Sequence, residues 1–202
     1  MAARGRIEVE EQPQGPEITY VHHFLDGVLA RQVESELRSD IEWEQHRIRL
    51  FGKMVDCPRL SAWYGDPGKT YGYSGVSHEP KPWVPILRDL KGRIEEAART
   101  AFNSVLLNRY RDGSDSMGWH SDDEPELGPN PVIASLSLGA RRKFRFRNRA
   151  DHSKTTDVWL DHGSLLIMRG GVQAAWHHAI PKTKRIETER INLTFRWVLP
   201  QQ

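Results

Sequence analysis

The chain has 202 residues, 38% hydrophobic and 9% aromatic, which is enough to build a core and excludes a disordered chain. Its net charge of +2 is too small for the whole molecule to attract a polyanion, so any affinity for nucleic acid must come from local clustering. The single cysteine, Cys57, excludes an internal disulfide and points to a reducing compartment; no run of about 18 apolar residues exists to span a membrane, and the N-terminus carries no secretory signal.

Residues 1–16 are rich in Glu, Gln, Arg, Gly and Pro and read as a flexible arm, leaving 17–202 as one domain. Residues 18–21 read as a short strand. Asp26 is placed to cap a helix over 27–38 with Val28, Leu29, Val33 and Leu37 as its apolar stripe. Residues 43–51 read as a strand, Ile48 and Leu50 alternating with Arg47 and Arg49. In Leu50-Phe51-Gly52-Lys53, Gly52 permits a tight turn, so Phe51 either stands at a hairpin tip or folds back into the core. Residues 58–75 form an aromatic, glycine-studded segment holding Tyr64, Tyr71 and Tyr73. Aromatic faces stack on any base and glycines let backbone approach a ligand, but a rigid loop whose tyrosines only pack would look the same.

Residues 82–102 read as the longest helix, with Val84, Leu87, Leu90, Ile94 and Ala98 at helical spacing. The period then changes to two: Val105, Leu107 and Arg109 face one way, Leu106, Asn108 and Tyr110 the other. A turn at Arg111-Asp112-Gly113-Ser114 precedes Trp119-His120-Ser121-Asp122-Asp123-Glu124. On extended backbone, His120 and Asp122 point the same way and would converge on one atom. One further His completes a two-His, one-carboxylate face with open positions, which suits non-haem Fe(II); a hydrolytic zinc would accept the same three.

Residues 131–138 make an apolar strand ended by Gly139. In residues 141–149, Lys143, Arg145, Arg147 and Arg149 share one face, while Phe144 and Phe146 take the other. Such a face suits phosphates, or guards an exposed sheet edge with charge. Strands at 157–160 and 164–168 flank a turn at Asp161-His162-Gly163. His177 and His178 are strand neighbours that point oppositely, so only one of them can reach a metal. Lastly Arg190, Asn192, Thr194 and Arg196 alternate with Ile191, Leu193, Phe195 and Trp197. The polar set is either a solvated face or a cavity lining that aims two guanidiniums at carboxylates. Many short strands after two helices give an α+β, mainly β fold, an antiparallel sheet folded over itself.

Asn108-x-Tyr110, His120-x-Asp122, a later His and Arg190-x-Asn192-x-x-x-Arg196, in this order, resemble the AlkB family of Fe(II)/2-oxoglutarate dioxygenases, which repair alkylated nucleobases; the match runs from about 43 to 197. The resemblance implies a double-stranded β-helix, or jelly roll, with buttressing N-terminal helices and a nucleotide-recognition lid at 58–75. It implies Fe(II) on His120, Asp122 and His178, the last preferred to His177 for its His-Ala-Ile-Pro context. It implies 2-oxoglutarate held by Asn108, Tyr110, Arg190, Asn192 and Arg196, with Arg196 first choice for the far carboxylate. Phe51 and Gly52 become a wedge that opens a duplex. Tyr73 stacks on the flipped base, Tyr64 and Tyr71 are further substrate-binding candidates, and Glu124 reads the base edge. The implied activity is oxidative dealkylation of bases such as 1-methyladenine and 3-methylcytosine in DNA, by an intracellular monomer of the cytoplasm or nucleus. The same chemistry on RNA or protein, or a non-catalytic nucleic-acid-binding module, are the alternatives.

Overall fold

Where the sequence alternates with period two the chain builds a sandwich, and where it repeats at helical spacing it builds the layer behind it. The computed structural model describes residues 15–50, 52–68, 71–73 and 76–200, and of residues 48–50, 71–73 and 76–78 only the backbone. In chain order the elements are β1 (Ile18–Val21), α1 (Gly27–Asp40), β2 (Arg47–Leu50), β3 (Lys53–Asp56), β4 (Leu60–Gly65), β5 (Tyr71–Tyr73), β6 (Val76–His78), β7 (Lys81–Pro82), α2 (Pro85–Ala98), β8 (Ser104–Tyr110), β9 (Met117–His120), β10 (Ile133–Gly139), β11 (Arg142–Asn148), β12 (Thr155–Leu160), β13 (Ser164–Met168), α3 (Val172–Ala175), β14 (Trp176–Ile180) and β15 (Arg190–Arg196).

A seven-stranded sheet runs β1-β13-β10-β15-β8-β4-β7 and a four-stranded sheet runs β12-β11-β14-β9. From β8 onward the chain passes back and forth between them, only the β11–β12 hairpin staying in one sheet, which is the connectivity of a jelly roll. The seven-stranded sheet is buried on both faces. Toward the helices it presents Val105, Leu107, Ala134, Leu136, Leu138, Leu165, Ile167, Ile191, Leu193 and Phe195. Toward the other sheet it presents Tyr110, Ile133, Leu166 and Met168, which meet Phe144, Phe146, Val158 and Leu160.

Asp26 caps α1 by accepting from the backbone N–H of Val28 and Leu29. The buried stripe of α1 is Ala30, Val33 and Leu37, not Val28, which is 71% exposed. Val28 lies nine residues before Leu37, roughly 180° away round a helix of 3.6 residues per turn. In α2 the expected Leu87, Leu90, Ile94 and Ala98 are the buried positions; Pro sits in its first turn and Arg99, at φ 49°, ends it in the left-handed region. β15 stops at Arg196, so Trp197 leaves the apolar face where alternation would have put it and is 45% exposed.

β2 and β3 form the expected hairpin, with Gly52 at φ +80° in its turn. Phe51 lies outside the described residues, as do residues 1–14 of the expected arm; Pro16 is already buried. From Arg145 on, β11 is paired with β12 on one side and β14 on the other, so Arg145 and Arg147 guard no edge; Lys143 is paired with β12 alone. Among the described residues no helix is long and apolar enough to cross a membrane.

Candidate active site

β9 and β14 are antiparallel neighbours with His178 opposite His120, and the register slips between His178 and Ile180. The two imidazole rings lie 4.3 Å apart. Asp122 stands two residues beyond His120, its backbone N–H donating to the buried Gln173 side chain at 3.0 Å. One donor atom from each of His120, Asp122 and His178 falls within 4.8 Å of the others. Phe144 and Phe146 flank the His178 ring, at 5.0 and 6.1 Å between centroids. His177, next in chain, points away from the cluster toward Arg147 and Arg149. The carbonyl of Gly118 lies 2.9 Å from His120 Nδ1; that contact favours the tautomer with hydrogen on Nδ1 and leaves Nε2 as the ligand atom.

Protonation states suit a metal. Burial alone would raise the Asp122 carboxyl, but Arg196 and the two imidazoles outweigh it and hold the group at about 2. Burial, helped by His120, pushes His178 down to about 3 against the pull of Asp122. A neutral imidazole and an ionised carboxylate are the forms that ligate, and the buried Nδ1 of His178 has no hydrogen-bond partner among the described residues.

The cavity between the sheets runs from this cluster to Arg190. It is lined among others by Asn108, Tyr110, Ser135, Asn192, Thr194 and Arg196. Arg190 is 1% exposed; its Nη2 donates to Ser137 Oγ at 2.9 Å, and its guanidinium lies 5.2 Å over the Tyr110 ring. Nε and Nη1 have no hydrogen-bond partner among the described residues. Burial lowers its pKa to about 10, against the Tyr110 phenol, so it remains a cation at neutral pH. A buried cation short of acceptors fits an anionic ligand.

Arg196 is used differently: its Nη2 donates to Asp122 Oδ1 at 2.7 Å. Arg196, the expected first choice for the far carboxylate, thus already holds a carboxylate of the chain itself. The two arginines share a face but stand six residues, roughly 20 Å, apart along β15, so they serve opposite ends of the cavity. Asn192 lines it too, but both amide hydrogens go to Ser135 Oγ and Leu136 O of β10, and Thr194 donates to its oxygen. Asn108 Oδ1 accepts from the buried Arg59 at 2.9 Å.

The family described as the 2OG-Fe(II) oxygenase superfamily matches residues 17–196. Mouse alpha-ketoglutarate-dependent dioxygenase alkB homolog 3 is 43% identical over 206 residues, covering 97% of this chain and 71% of that protein. Mouse DNA oxidative demethylase ALKBH2 is 43% identical over 181 residues, covering 85% and 76%. The chain belongs to this superfamily, among its alkB homologues. The solved structure of OsALKBH1 shares the fold, with a TM-score of 0.66 at 16% identity over 92% of this chain and 99% of that one.

A 2OG-Fe(II) oxygenase takes Fe(II) and 2-oxoglutarate, and this cavity offers a donor set of the right chemistry for each. On the loop after β9, Glu124 is half-buried and its Oε2 is buried without a hydrogen-bond partner among the described residues. Tyr64 is corrected: at 3% exposure it packs in the helix-side core with its hydroxyl near the Glu42 N–H, so it cannot meet a base. Tyr71 and Tyr73 lie on the β5–β6 hairpin, and their side chains fall outside what is described. Asp123 turns away to pair with Arg149 at 2.6 Å.

Three residues that matter here were not singled out from sequence. Arg59 braces Asn108, Gln173 fixes the Asp122 backbone, and Arg142 is 1% exposed and donates to the carbonyls of Asp112, Asp115 and Pro181. Arg142 thereby ties the loop before β9 to the end of β14, the two strands that carry the histidines. One signal was there to read: Arg142 shares period-two parity with the apolar Phe144 and Phe146.

Proposed function

We propose that this oxygenase oxidatively dealkylates N-alkylated bases such as 1-methyladenine and 3-methylcytosine in DNA, releasing the alkyl carbon as an aldehyde. The observation that carries the reading is similarity across nearly the whole chain to enzymes of this name and type, joined to a cavity holding the groups such an enzyme needs. In the proposal His120, Asp122 and His178 hold Fe(II). When bound, the metal with 2-oxoglutarate and O2 supplies oxidation of the alkyl carbon, yielding succinate and CO2.

The chain's residues do the rest. Arg196 keeps Asp122 ionised and oriented. Arg190, with the Tyr110 ring beneath it and Asn108 nearby, takes the far carboxylate of 2-oxoglutarate; its Nε and Nη1 make no hydrogen bond among the described residues. Phe144 and Phe146 keep water from one side of His178. Glu124, with an acceptor oxygen lacking a donor among the described residues, suits the exocyclic amine of a flipped adenine or cytosine. Tyr73 is proposed to stack on that base and Tyr71 to line the same lid. The protein acts as a monomer inside the cell, which fits the buried, reduced Cys57.

The test is succinate release with Fe(II) on 1-methyladenine in single-stranded DNA, duplex DNA and RNA. DNA-dependent turnover supports the reading. Turnover on RNA alone moves the substrate to RNA, and no turnover on any of them leaves a binding module. Phe51→Ala bears on the duplex: selective loss there, with an unchanged melt, supports a wedge, and equal loss on both strands with a lowered melt makes Phe51 a core residue.

A further inference from the structure

The four-stranded sheet has a second face, turned to solvent, that the active site does not use. Along β11, Arg142, Phe144 and Phe146 point inward and are buried, so Lys143, Arg145 and Arg147 point out. Pairing sets Lys143 opposite Trp159 of β12 and Arg147 opposite His177 of β14. Trp159 is 44% exposed, with Arg141 at 4.8 Å and Lys143 at 5.3 Å from its ring. At the other side Trp119 of β9 is 39% exposed, with Arg147 4.3 Å over its ring and a buried Nε on that arginine without a hydrogen-bond partner among the described residues.

Two carboxylates answer these charges. Asp157 is shared by Lys143 and Arg145, each at 2.8 Å, and Asp161 holds Arg141 at 2.7 Å. The face stays positive. Arg145 and Arg147 protect no edge, because that part of β11 is paired on both sides. Like charges repeated along one strand repel, and large exposed indoles waste apolar surface, so a merely solvated face requires neither. Cations alternating with aromatic rings are what an unstacked polynucleotide takes.

We propose that this face is a track for the single-stranded nucleic acid flanking the base under repair, with bases stacked on Trp159 and Trp119 and phosphates along Lys143, Arg145 and Arg147. The track rests on the nucleobase reading above. Three inter-strand gaps separate β12 from β9, roughly 14 Å, enough for about four stacked nucleotides. It ends at Trp119 on β9, the edge strand of this sheet, whose next residue, His120, faces the cavity on the other side, so a strand lying on the track reaches the cavity by rounding that edge. A duplex hides its base faces and gains nothing from the indoles.

The test compares wild-type enzyme with Trp159→Ala, Trp159→Phe and the double variant Lys143→Gln/Arg145→Gln. Fluorescence anisotropy reads binding to a fifteen-nucleotide single strand and to the matching duplex; succinate release reads turnover of a trinucleotide carrying 1-methyladenine. Trp159→Ala and the double variant are expected to weaken single-strand binding about tenfold. The double variant should also flatten the salt dependence by up to about 1.4 log units per log unit of salt. Trp159→Phe should keep most of the affinity, and trinucleotide turnover and the melting temperature should stay at wild-type values. Unchanged single-strand affinity in the variants, or equal losses on duplex and single strand, overturns the track while leaving the dealkylation reading intact. A wild-type enzyme that neither binds the strand nor turns over the trinucleotide overturns both.

Discussion

On β15, Ile191, Leu193 and Phe195 pack under the helices while Arg190, Asn192, Thr194 and Arg196 face the cavity, and all seven residues are buried. Burial therefore does not separate the two sides; completeness does. The helix side is apolar against apolar and is finished when the chain folds. The cavity side keeps a cation with N–H groups unpartnered among the described residues and a carboxylate held ionised by an arginine and two imidazoles. Such an arrangement is costly to bury and stabilises the fold poorly. One side of the strand holds the molecule together, and the other is left open for ligands at some expense to stability.

The hardest way to break the cavity side is Asp122→Ala. It removes the cluster's only carboxylate and leaves Arg196 buried without its counter-charge. Turnover is expected to fall at least about a hundredfold, by the sensitivity of metal sites to their ligands and supporting groups. Succinate release measured beside Fe(II) binding checks it, and more than about a tenth of wild-type turnover would falsify the ligand assignment.

Leu193→Ala attacks the other side. Leu193 is 0% exposed in the helix-side core, and its truncation should cost about 2–5 kcal/mol of stability. Turnover per folded molecule, measured well below the melting point, should stay near wild type. A loss of turnover without a lowered melt would show that the two sides are not separable.

Arg190→Met sharpens the contrast because its two effects have opposite sign. Losing charge-assisted contacts to a carboxylate costs about 1.5–3 kcal/mol, so the 2-oxoglutarate concentration for half-maximal turnover should rise roughly 10- to 150-fold. Removing an incompletely satisfied buried cation should at the same time raise the melting temperature of the enzyme without 2-oxoglutarate. Arg196→Met should disturb the 2-oxoglutarate requirement less, since that guanidinium is committed to Asp122.

Alternation told which side each β15 residue takes, because it follows from the two-residue period of extended backbone; His120 and Asp122 do converge, although β9 ends at His120 and Asp122 stands on the loop after it. Period says nothing about depth. Arg190 and Arg196 are indistinguishable by parity, and only the β10 pairing that sets Ser137 beside one, and the β9 loop that sets Asp122 beside the other, assigns them different tasks. Tyr64 failed for a related reason: its parity allowed a cavity or a core, and the helices that cover that face of β4 come from elsewhere in the chain. Arg142 was hidden among neighbouring cations whose side chains point the other way.

The smallest effect should come from His177→Ala, and it tests the register on which the whole contrast stands. His177 and His178 are adjacent on β14, and strand geometry turns them to opposite faces. His178 sits opposite His120 with its ring between the sheets, 3% exposed. His177 sits opposite Arg147 on the outer face, where burial and the charges of Arg149 and Arg147 lower its pKa and keep it neutral near pH 7. Truncating a partly exposed, neutral side chain away from the cavity should change stability by no more than about 0.5 kcal/mol. Turnover of a methylated trinucleotide should stay within about twofold of wild type, while His178→Ala under the same conditions should be inactive. If instead His177→Ala is dead and His178→Ala active, β14 is displaced by one residue, the pairing of His178 with His120 is wrong, and the inner and outer residues of β14 exchange places.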